Sequence, residues 1–399
     1  MQMPRRIRAG LSMMLPEPIV VTWKCEQEIG PAIEAVPPGP AVFMVLPREG
    51  DPYIGRTMAL RRRLKRLLRP AAQPSRLLNL RAIAREVHFW PAGSRLALWI
   101  YAWQLARRHY PETYRSLVKL RLPAYVKLIL SNRFPRTQVT RRLSSRTAQF
   151  FGPFRTRAAA ERFESEFLDL FQIRRCEEDL KPSPDHPGCI YGEMNRCLRP
   201  CQQIVGVEEY RSEVHRVQEF LATSGQALLK RAAAARDQAS DRLEFEEAAR
   251  LHQRYERIRQ VLRLRDELAA DIDQLHGTAV TPSPAADTVD LWFLVRGAWL
   301  PPHRFPLTAA ADQPVSMDKR LREIVETLEA PAVTTVERQE HLAILASWYY
   351  SGSCDGEWIR FESLSSVPYR KLVNAIHRVA VGSRPVASRL PNAANPDNS

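Results

Sequence analysis

The sequence predicts an α+β protein assembled from several small units, and three observations lead to that class. Short extended segments between residues 17 and 57 are separated by turns rich in Pro and Gly, which is typical of strands. Apolar residues recur at helical spacing from Met58 onward. Residues 207–270 are almost wholly helical in composition, and strand-like and helix-like segments follow from 289 to about 385. Strands and helices in separate stretches favour α+β.

Charge is the strongest signal in the composition. The 399 residues contain 59 Lys and Arg against 44 Asp and Glu, a net charge of +15, and 45% of the residues are hydrophobic. Such a chain folds, and its length suits two or three domains. A positive field of this size favours partners that carry phosphate, among which nucleic acid is the commonest. The alternative is a basic protein without such a partner.

The N-terminal segment does not read as a signal peptide. Pro16, Glu17 and Pro18 interrupt its apolar stretch. No apolar run approaches the roughly 18 residues that a membrane-spanning helix needs. We therefore expect a cytoplasmic protein.

A hairpin and a basic helix are predicted near the N-terminus. AVFMVL and PYIG, with the turn REGD between them, predict a β-hairpin. Four leucines at positions 60, 64, 67 and 68 then define one face of an amphipathic helix. At about 100° per residue, Arg61 and Arg63 lie on the two borders of this face, so only they could reach the hairpin. The residues expected to attract DNA phosphates are Arg61, Arg62, Lys65, Arg66 and Arg69.

Further elements follow in order. LALWIYAWQLARRHY (96–110) predicts a buried helix, and YVKLIL with TQVTRR predicts a second hairpin. An amphipathic helix is expected over 158–173. Between 207 and 270 we expect one long helix that returns antiparallel to a second, whose seam is Ala248, Leu251, Tyr255, Ile258 and Leu262. The alternative there is a plain pair of core helices.

Four of the six cysteines fall close together. Cys176, Cys189, Cys197 and Cys201 are separated by 12, 7 and 3 residues. Four thiolates suit tetrahedral zinc or an iron-sulfur cluster. Because the spacing contains no C-x-x-C pair, buried free thiols remain the alternative.

Several stretches in order resemble the UvrC family, the excinuclease subunit of bacterial nucleotide excision repair. PGPAVFMVL with PYIGRTMALRRRL looks like the paired strands and first helix of a GIY-YIG nuclease domain. YVKLILSNRFPRTQVTRR with FFGPF is similar to the segment after that domain, and CIYGEMNRCLRPC to the family's cysteine region. LEFEEAARLHQRYERIRQVL is similar to the UVR motif that pairs with UvrB, and VDLWFLVRGAWL to a later segment.

The resemblance implies an incision site of which part is missing. Tyr53 matches the second-strand tyrosine, Arg56 the basic residue after the motif and Arg63 the helix arginine. Phe43 stands where the family has its first tyrosine. Ala102 stands where the family has the glutamate that holds one divalent metal, and no Asp or Glu occurs between positions 86 and 112. A helix without a carboxylate lacks the oxygen ligand that Mg²⁺ or Mn²⁺ prefers. We therefore expect DNA binding with little or no cutting.

The resemblance also implies a cofactor and a partner. It implies a [4Fe-4S] cluster at the four cysteines, with zinc as the alternative, and UvrB docking through Leu243, Phe245, Ala248 and Leu251. Mg²⁺ or Mn²⁺ is implied only if the nuclease is active. We find no place in these 399 residues for the family's C-terminal RNase H-like nuclease or its helix-hairpin-helix clamp.

The fold that follows is a small GIY-YIG-type mixed sheet with helices, a cysteine-rich region, a helical hairpin and a small C-terminal α/β region. Two other functions stay open: an active metal-dependent endonuclease that makes a single cut on the 3′ side of a lesion, and a metal- or redox-responsive DNA-binding protein outside repair. The expected divisions are an extension (1–37), the nuclease-like domain (38–115), the second hairpin with the cysteines (116–205), the UVR hairpin (206–270), a linker (271–288), the C-terminal region (289–385) and a disordered tail (386–399).

Overall fold

The computed structural model describes residues 15–70, 78–144, 147–308 and 315–382. The expected tail and the first 14 residues lie outside this part of the chain. The described strands are β1 (Ile19–Thr22), β2 (Ala41–Pro47), β3 (Tyr53–Thr57), β4 (Ala84–Pro91), β5 (Ala124–Ile129), β6 (Arg136–Thr140), β7 (Ala148–Phe154), β8 (Ala270–Asp271), β9 (His276–Pro282), β10 (Thr288–Val295), β11 (Ala298–Trp299), β12 (His303–Pro306) and β13 (Glu357–Phe361).

Helices connect and cover these strands. The described helices are α1 (Ile29–Glu34), α2 (Leu60–Leu67), α3 (Arg95–His109), α4 (Tyr114–Val118), α5 (Arg157–Leu168), α6 (Ile190–Glu193), α7 (Val207–Ala222), α8 (Gln226–Asp241), α9 (Phe245–Arg263), α10 (Met317–Glu326), α11 (Thr335–Tyr349) and α12 (Tyr369–Ala380). Within the described residues, no helix combines the length and the apolar character needed to cross a membrane.

The first sheet has the strand order β1-β4-β2-β3, and each of its described pairings is antiparallel. The predicted hairpin is confirmed as β2 and β3, with Phe43 opposite Gly55. The expectation of a mixed sheet is wrong, because β4 returns beside β2 in the opposite direction. The extension also contributes structure: Ile19–Thr22 forms the edge strand β1, so this unit begins before residue 38.

The two faces of the first sheet pack against different partners. The side chains on one face of the sheet, including Phe43 and Val45, form a core with α1 and the leucines of α2. The side chains on the opposite face, including Val42 and Met44, join a larger core with α3. Alternation along the strands produces this division. The predicted leucine face of α2 is confirmed, since all four leucines are buried.

The second sheet has the order β6-β5-β7-β8 and confirms the second hairpin as β5 and β6. The predicted helix over 158–173 is α5, which ends earlier at Leu168. A core of stacked phenylalanines holds α5 on the sheet; the rings of Phe151 and Phe163 lie 5.3 Å apart at 10°. Helices α7 and α9 bury residues in the same core, which therefore joins the sheet to the helical hairpin.

The helical hairpin is confirmed, but its first arm is not one helix. The helical arm is interrupted between α7 and α8, where Ser224 and Gly225 have φ of 51° and 77°. A Cβ at Gly225 would lie 2.4 Å from Leu262 Cδ2, so this left-handed turn also requires a residue without a side chain. Helices α8 and α9 then pack together, with Ile258 and Val261 fully buried.

The third sheet has the order β11-β10-β9-β13, with β12 also paired to β10. The expected linker at 271–288 is wrong in this region, because β9 lies within it and is paired on both sides. Thr278 and Val280 of β9 are fully buried, and only the segment after Pro282 forms a turn. All described pairings in this sheet are antiparallel, so the C-terminal region is α+β instead of α/β.

Candidate functional site

Tyr53 and Arg63 form a direct contact. Arg63 Nη2 donates a hydrogen bond to Tyr53 Oη at 2.9 Å, and both side chains are half-buried. Tyr53 begins β3, while Arg63 lies in the first turn of α2, where Thr57 Oγ1 accepts from the Ala59 backbone N–H at 3.1 Å. The sequence expectation that this border arginine faces Tyr53 is confirmed. The guanidinium therefore holds the phenol at the edge of the sheet.

Phe43 fills the space beside this pair. Its ring is fully buried and lies 6.1 Å from the Tyr53 ring. A Cβ at Gly55, directly opposite on β3, would lie 2.6 Å from Phe43 Cζ. The phenylalanine ring thus covers the glycine backbone as part of the core, and this position offers no hydroxyl to a substrate.

Arg56 lies apart from Tyr53 and Arg63. It is opposite Val42 in the register, on the α3 side of the sheet, whereas Tyr53 packs on the α2 side. Its guanidinium carbon lies 3.4 Å from the centre of the Trp99 ring of α3. Desolvation by the surrounding protein lowers the pKa of Arg56, although part of the side chain is exposed. The three residues matched to the nuclease motif are therefore divided between two faces.

Ala102 lies in a core shared by the first and third sheets. It is 6% exposed on α3, within a cluster that includes residues of both regions. On either side of it, the Tyr101 ring lies 5.9 Å from that of Trp292, and the Trp103 ring meets His341 edge-on at 5.0 Å. A carboxylate at position 102 would enter this apolar environment, at a cost of several kcal/mol for an unpaired charge.

A buried carboxylate fastens α3 and α4 to α11. Glu340 Oε2 accepts a hydrogen bond from Trp103 Nε1 at 3.1 Å. Its Oε1 accepts from Tyr114 Oη at 2.6 Å and from Arg115 Nε at 2.7 Å. Glu340 is fully buried. Sequence reasoning assigned no role to 310–385 and missed this residue. The available signal was its position directly before the apolar run HLAILASWYY.

The described residues contain no ready site for a divalent metal. No three His, Cys, Asp or Glu side chains among them come together as metal ligands. Close to α2, the carboxylate of Glu34 forms an ion pair with Lys65. The pairing lowers the pKa of Glu34, chiefly through its hydrogen bond with Lys65. This carboxylate is therefore already engaged in holding α1 against α2.

The basic residues of α2 divide into engaged and free groups. Arg61 Nε donates to the Val36 carbonyl at 2.7 Å, so it binds the protein itself, as Lys65 does through Glu34. Arg62 and Arg66 are exposed. Arg69 is half-buried, and its carbonyl accepts from Asn79 Nδ2 at 3.1 Å. Of the five residues expected to attract phosphate, Arg62 and Arg66 are thus the most available.

The four clustered cysteines lie near one another in space. Burial chiefly, with a smaller contribution from the neighbouring Cys176, Cys189 and Cys201, raises the pKa of Cys197 to about 11. Burial also raises the pKa of Cys201. Arg174 Nη1 donates a weak hydrogen bond to Cys176 Sγ at 3.6 Å. The four sulfur donors suit a thiolate-bound metal by type, but within the described residues the thiols are not arranged as a ligand set.

The tip of the α8–α9 hairpin exposes two large apolar side chains. Leu243 is 71% exposed and Phe245 is 69% exposed. Leu243 has φ of 61° in the turn, and Phe245 begins α9. Ala248 and Leu251 lie behind them and are half-buried. The four residues expected to bind a partner therefore form one continuous stretch, which is most exposed at its tip.

Comparison with known proteins identifies the family. Residues 124–220, from β5 to α7, match the family model of the UvrC/Cho excinuclease middle domain. UvrABC system protein C of Methylococcus capsulatus is 29% identical over 224 residues, which are 56% of this chain and 37% of that protein. The matched domain and these relatives support placing the chain in the UvrC family. Its four clustered cysteines all lie within the matched middle domain.

Other UvrC proteins match more of the chain. UvrABC system protein C of Moorella thermoacetica is 29% identical over 57% of this chain and 37% of its own length. That of Acetivibrio thermocellus is 24% identical over 71% of this chain and 46% of its own length. The chain thus spans less than half the length of these relatives. No solved structure matches it.

Proposed function

We propose that this UvrC family member is a DNA-binding component of nucleotide excision repair whose GIY-YIG-type site does not cut. The observation that carries the proposal is the position of Ala102, buried in the core between the first and third sheets. The resemblance puts the metal-binding carboxylate at this position, and the protein instead uses it for packing.

The chemistry of strand cleavage explains why this position matters. Phosphodiester hydrolysis needs an activated water and a cation that stabilises the charge on the reacting phosphate. Arg63 and Tyr53 supply part of this arrangement. Without a carboxylate on α3 and without a hydroxyl at Phe43, they have neither a held metal nor a second phenol. Each tenfold loss in rate corresponds to ~1.4 kcal/mol of lost transition-state stabilisation.

DNA binding survives this loss because it depends on charge. Arg62 and Arg66 project from the exposed side of α2, and the whole chain carries a net charge of +15. Neutralised phosphates release counterions, so such binding is strong at low salt and independent of base sequence. The tyrosine and arginine pair then contributes to strand binding at the sheet edge.

UvrB is the proposed protein partner, and the hairpin tip is the proposed contact. Exposed apolar residues as large as Leu243 and Phe245, next to each other at a tip, indicate a protein contact. Burying one such side chain contributes about 1.5–3 kcal/mol. If the hairpin were only a pair of core helices, these two residues would not be left exposed.

Pull-down with immobilised UvrB tests this contact. Phe245→Ala is expected to reduce recovery of the chain at least about tenfold, the equivalent of ~1.4 kcal/mol. The matched control is Val381→Ala, which removes an apolar side chain that is 80% exposed directly after α12. Equal recovery of wild type and Phe245→Ala would reject the hairpin contact while leaving DNA binding untouched.

The cysteine cluster is proposed to hold a [4Fe-4S] cluster, with zinc as the alternative. Four sulfur donors are available between α5 and α7, from Cys176, Cys189, Cys197 and Cys201. Bound metal would require these thiols as thiolates, so metal affinity would fall as pH falls. The centre would join the loop around α6 to the phenylalanine core.

One observation favours a second candidate function. The hydrogen bond between Arg63 and Tyr53 keeps half of an incision site assembled, as an active endonuclease cutting on the 3′ side of a lesion would require. Metal-dependent nicking distinguishes the two functions. A metal- or redox-responsive DNA-binding protein outside repair would retain the cysteine centre but fail to bind UvrB.

A further inference from the structure

A basic cavity lies where the first sheet's unit, the second sheet and α11 meet. It has a volume of about 500 Å³, within the range of small-molecule sites. Its wall is formed by Arg56 of β3, Trp99 of α3, Lys119 and Arg121 after α4, Arg155 after β7 and Tyr350 after α11. No Asp or Glu lines it.

The four cations of this cavity form no ion pair within the described residues. In the described part of the chain, Arg56, Lys119, Arg121 and Arg155 form no ion pair with a carboxylate within 4.0 Å. Asp266 lies nearby: its Oδ2 accepts a hydrogen bond from the Arg155 backbone N–H at 2.6 Å, and its charge interacts with that of Arg155 without forming an ion pair. Other arginines of the described part do pair with carboxylates, for example Arg378 with Glu357 at 2.6 Å.

Aromatic rings fix two of the guanidinium groups at the cavity wall. Arg56 lies 3.4 Å above the Trp99 ring, and Arg155 lies 5.4 Å from the Tyr350 ring. Tyr350 is itself held by donating its hydroxyl to the Pro153 carbonyl at 3.2 Å. Arginine stacked on an aromatic face keeps its N–H groups directed sideways, where a planar or tetrahedral anion can accept them.

Bringing four like charges to one cavity costs free energy that a bound anion would recover. The surrounding protein partly desolvates Arg56 and so lowers its pKa. A phosphate group carries the charge, the size and the several acceptor oxygens that such a set of donors can satisfy. A carboxylate-bearing peptide would supply single, more widely spaced charges.

We propose that this cavity binds a phosphate group of a nucleic-acid strand. The choice of a strand as the source rests on the proposed DNA-binding function, whereas anion binding does not. The cavity lies on the opposite face of the first sheet from Tyr53 and Arg63, and of the three residues matched to the nuclease motif it includes only Arg56. A single strand leaving the α2 face would pass around the β3 edge to reach it.

The test measures binding of a fluorescein-labelled 12-nucleotide single strand to the full chain as a function of salt. The variant is Arg121→Gln/Arg155→Gln, which removes two exposed cavity charges and leaves Arg56 in place. The matched control is Arg370→Gln/Lys371→Gln, which removes two exposed charges from α12. Equal melting temperatures verify that both variants fold.

The cavity variant is expected to lose at least about tenfold in affinity at low salt. Its plot of log K against log salt should flatten by about 1.4, since each lost phosphate contact on a single strand is worth about 0.7. The control should stay within about twofold of wild type.

Parallel titrations with inorganic phosphate and AMP identify the source of the phosphate. Loss of strand binding alone assigns the cavity to DNA; loss of AMP or phosphate binding alone assigns it to a free anion. If the cavity variant binds all three probes as the control does, the cavity proposal is overturned. Arg62→Gln/Arg66→Gln then tells whether DNA binding itself stands, because a loss in that variant would leave the proposed function intact.

Discussion

The indole N–H of Trp103 on α3 donates to the buried carboxylate of Glu340 on α11, 237 positions away in the chain, at 3.1 Å. This bond lies one residue from Ala102 and crosses the boundary between the first and third sheets. The inner face of α3, which includes Ala102, therefore packs on the C-terminal region.

Removing the carboxylate of Glu340 should loosen this interface. Glu340→Ala leaves Tyr114 Oη and Trp103 Nε1 without an acceptor and Arg115 without its partner. We expect this variant to lower the free energy of unfolding by about 2–3 kcal/mol. The value is towards the low end for buried pairs because Arg115 is partly exposed. Denaturant unfolding measures this free energy. The control is Glu329→Ala at an exposed position, which should stay within about 0.5 kcal/mol of the wild type. Identical midpoints for both variants would show that the network does not join the regions.

Placing a carboxylate at position 102 should damage the fold without restoring cutting. Ala102→Glu introduces a charge into a core that leaves only 6% of the side chain exposed. We expect destabilisation of at least about 3 kcal/mol, seen as a lower melting temperature. Ala234→Glu, on an exposed position of α8, controls for the added charge. A stable Ala102→Glu protein that gains Mn²⁺-dependent nicking would refute the assignment of this position to the core.

The cysteine cluster should hold metal in protein purified without oxygen. Elemental analysis is expected to find iron, or zinc in its place, bound to the wild-type chain. Cys197→Ser should lose most of this metal, because it removes one of four proposed sulfur ligands. Cys354→Ser is the control, since Cys354 lies in the C-terminal region, away from the cluster. A colourless, metal-free wild type would overturn the proposal.

Local patterns in the sequence were sufficient for the first hairpin, for α2 and for the contact between Tyr53 and Arg63. The spacing of the leucines sets which face of α2 is buried. Alternation along β2 and β3 sets which of their side chains share a face. The same alternation separates Arg56 from Tyr53, which motif matching alone did not consider. A motif lists residues along a strand and does not say which face each one occupies.

Long-range packing was beyond the reach of these patterns. Residues 277–288 read as a linker because Gly, Thr, Ser and Pro dominate the segment, yet β9 lies largely within it and is stabilised by strands on both sides. The role of Glu340 depends on donors from α3 and α4 more than 220 positions earlier. Such contacts leave no local period in the sequence.

The absence of incision is the central claim, and a nicking assay tests it most directly. Supercoiled plasmid and a damaged duplex are incubated with the purified chain and Mn²⁺, beside Arg63→Ala, which removes the donor to Tyr53. The structure predicts no metal-dependent nicking by either protein, while both still bind DNA. Nicking by the wild type that depends on Mn²⁺ and disappears in Arg63→Ala would contradict the claim.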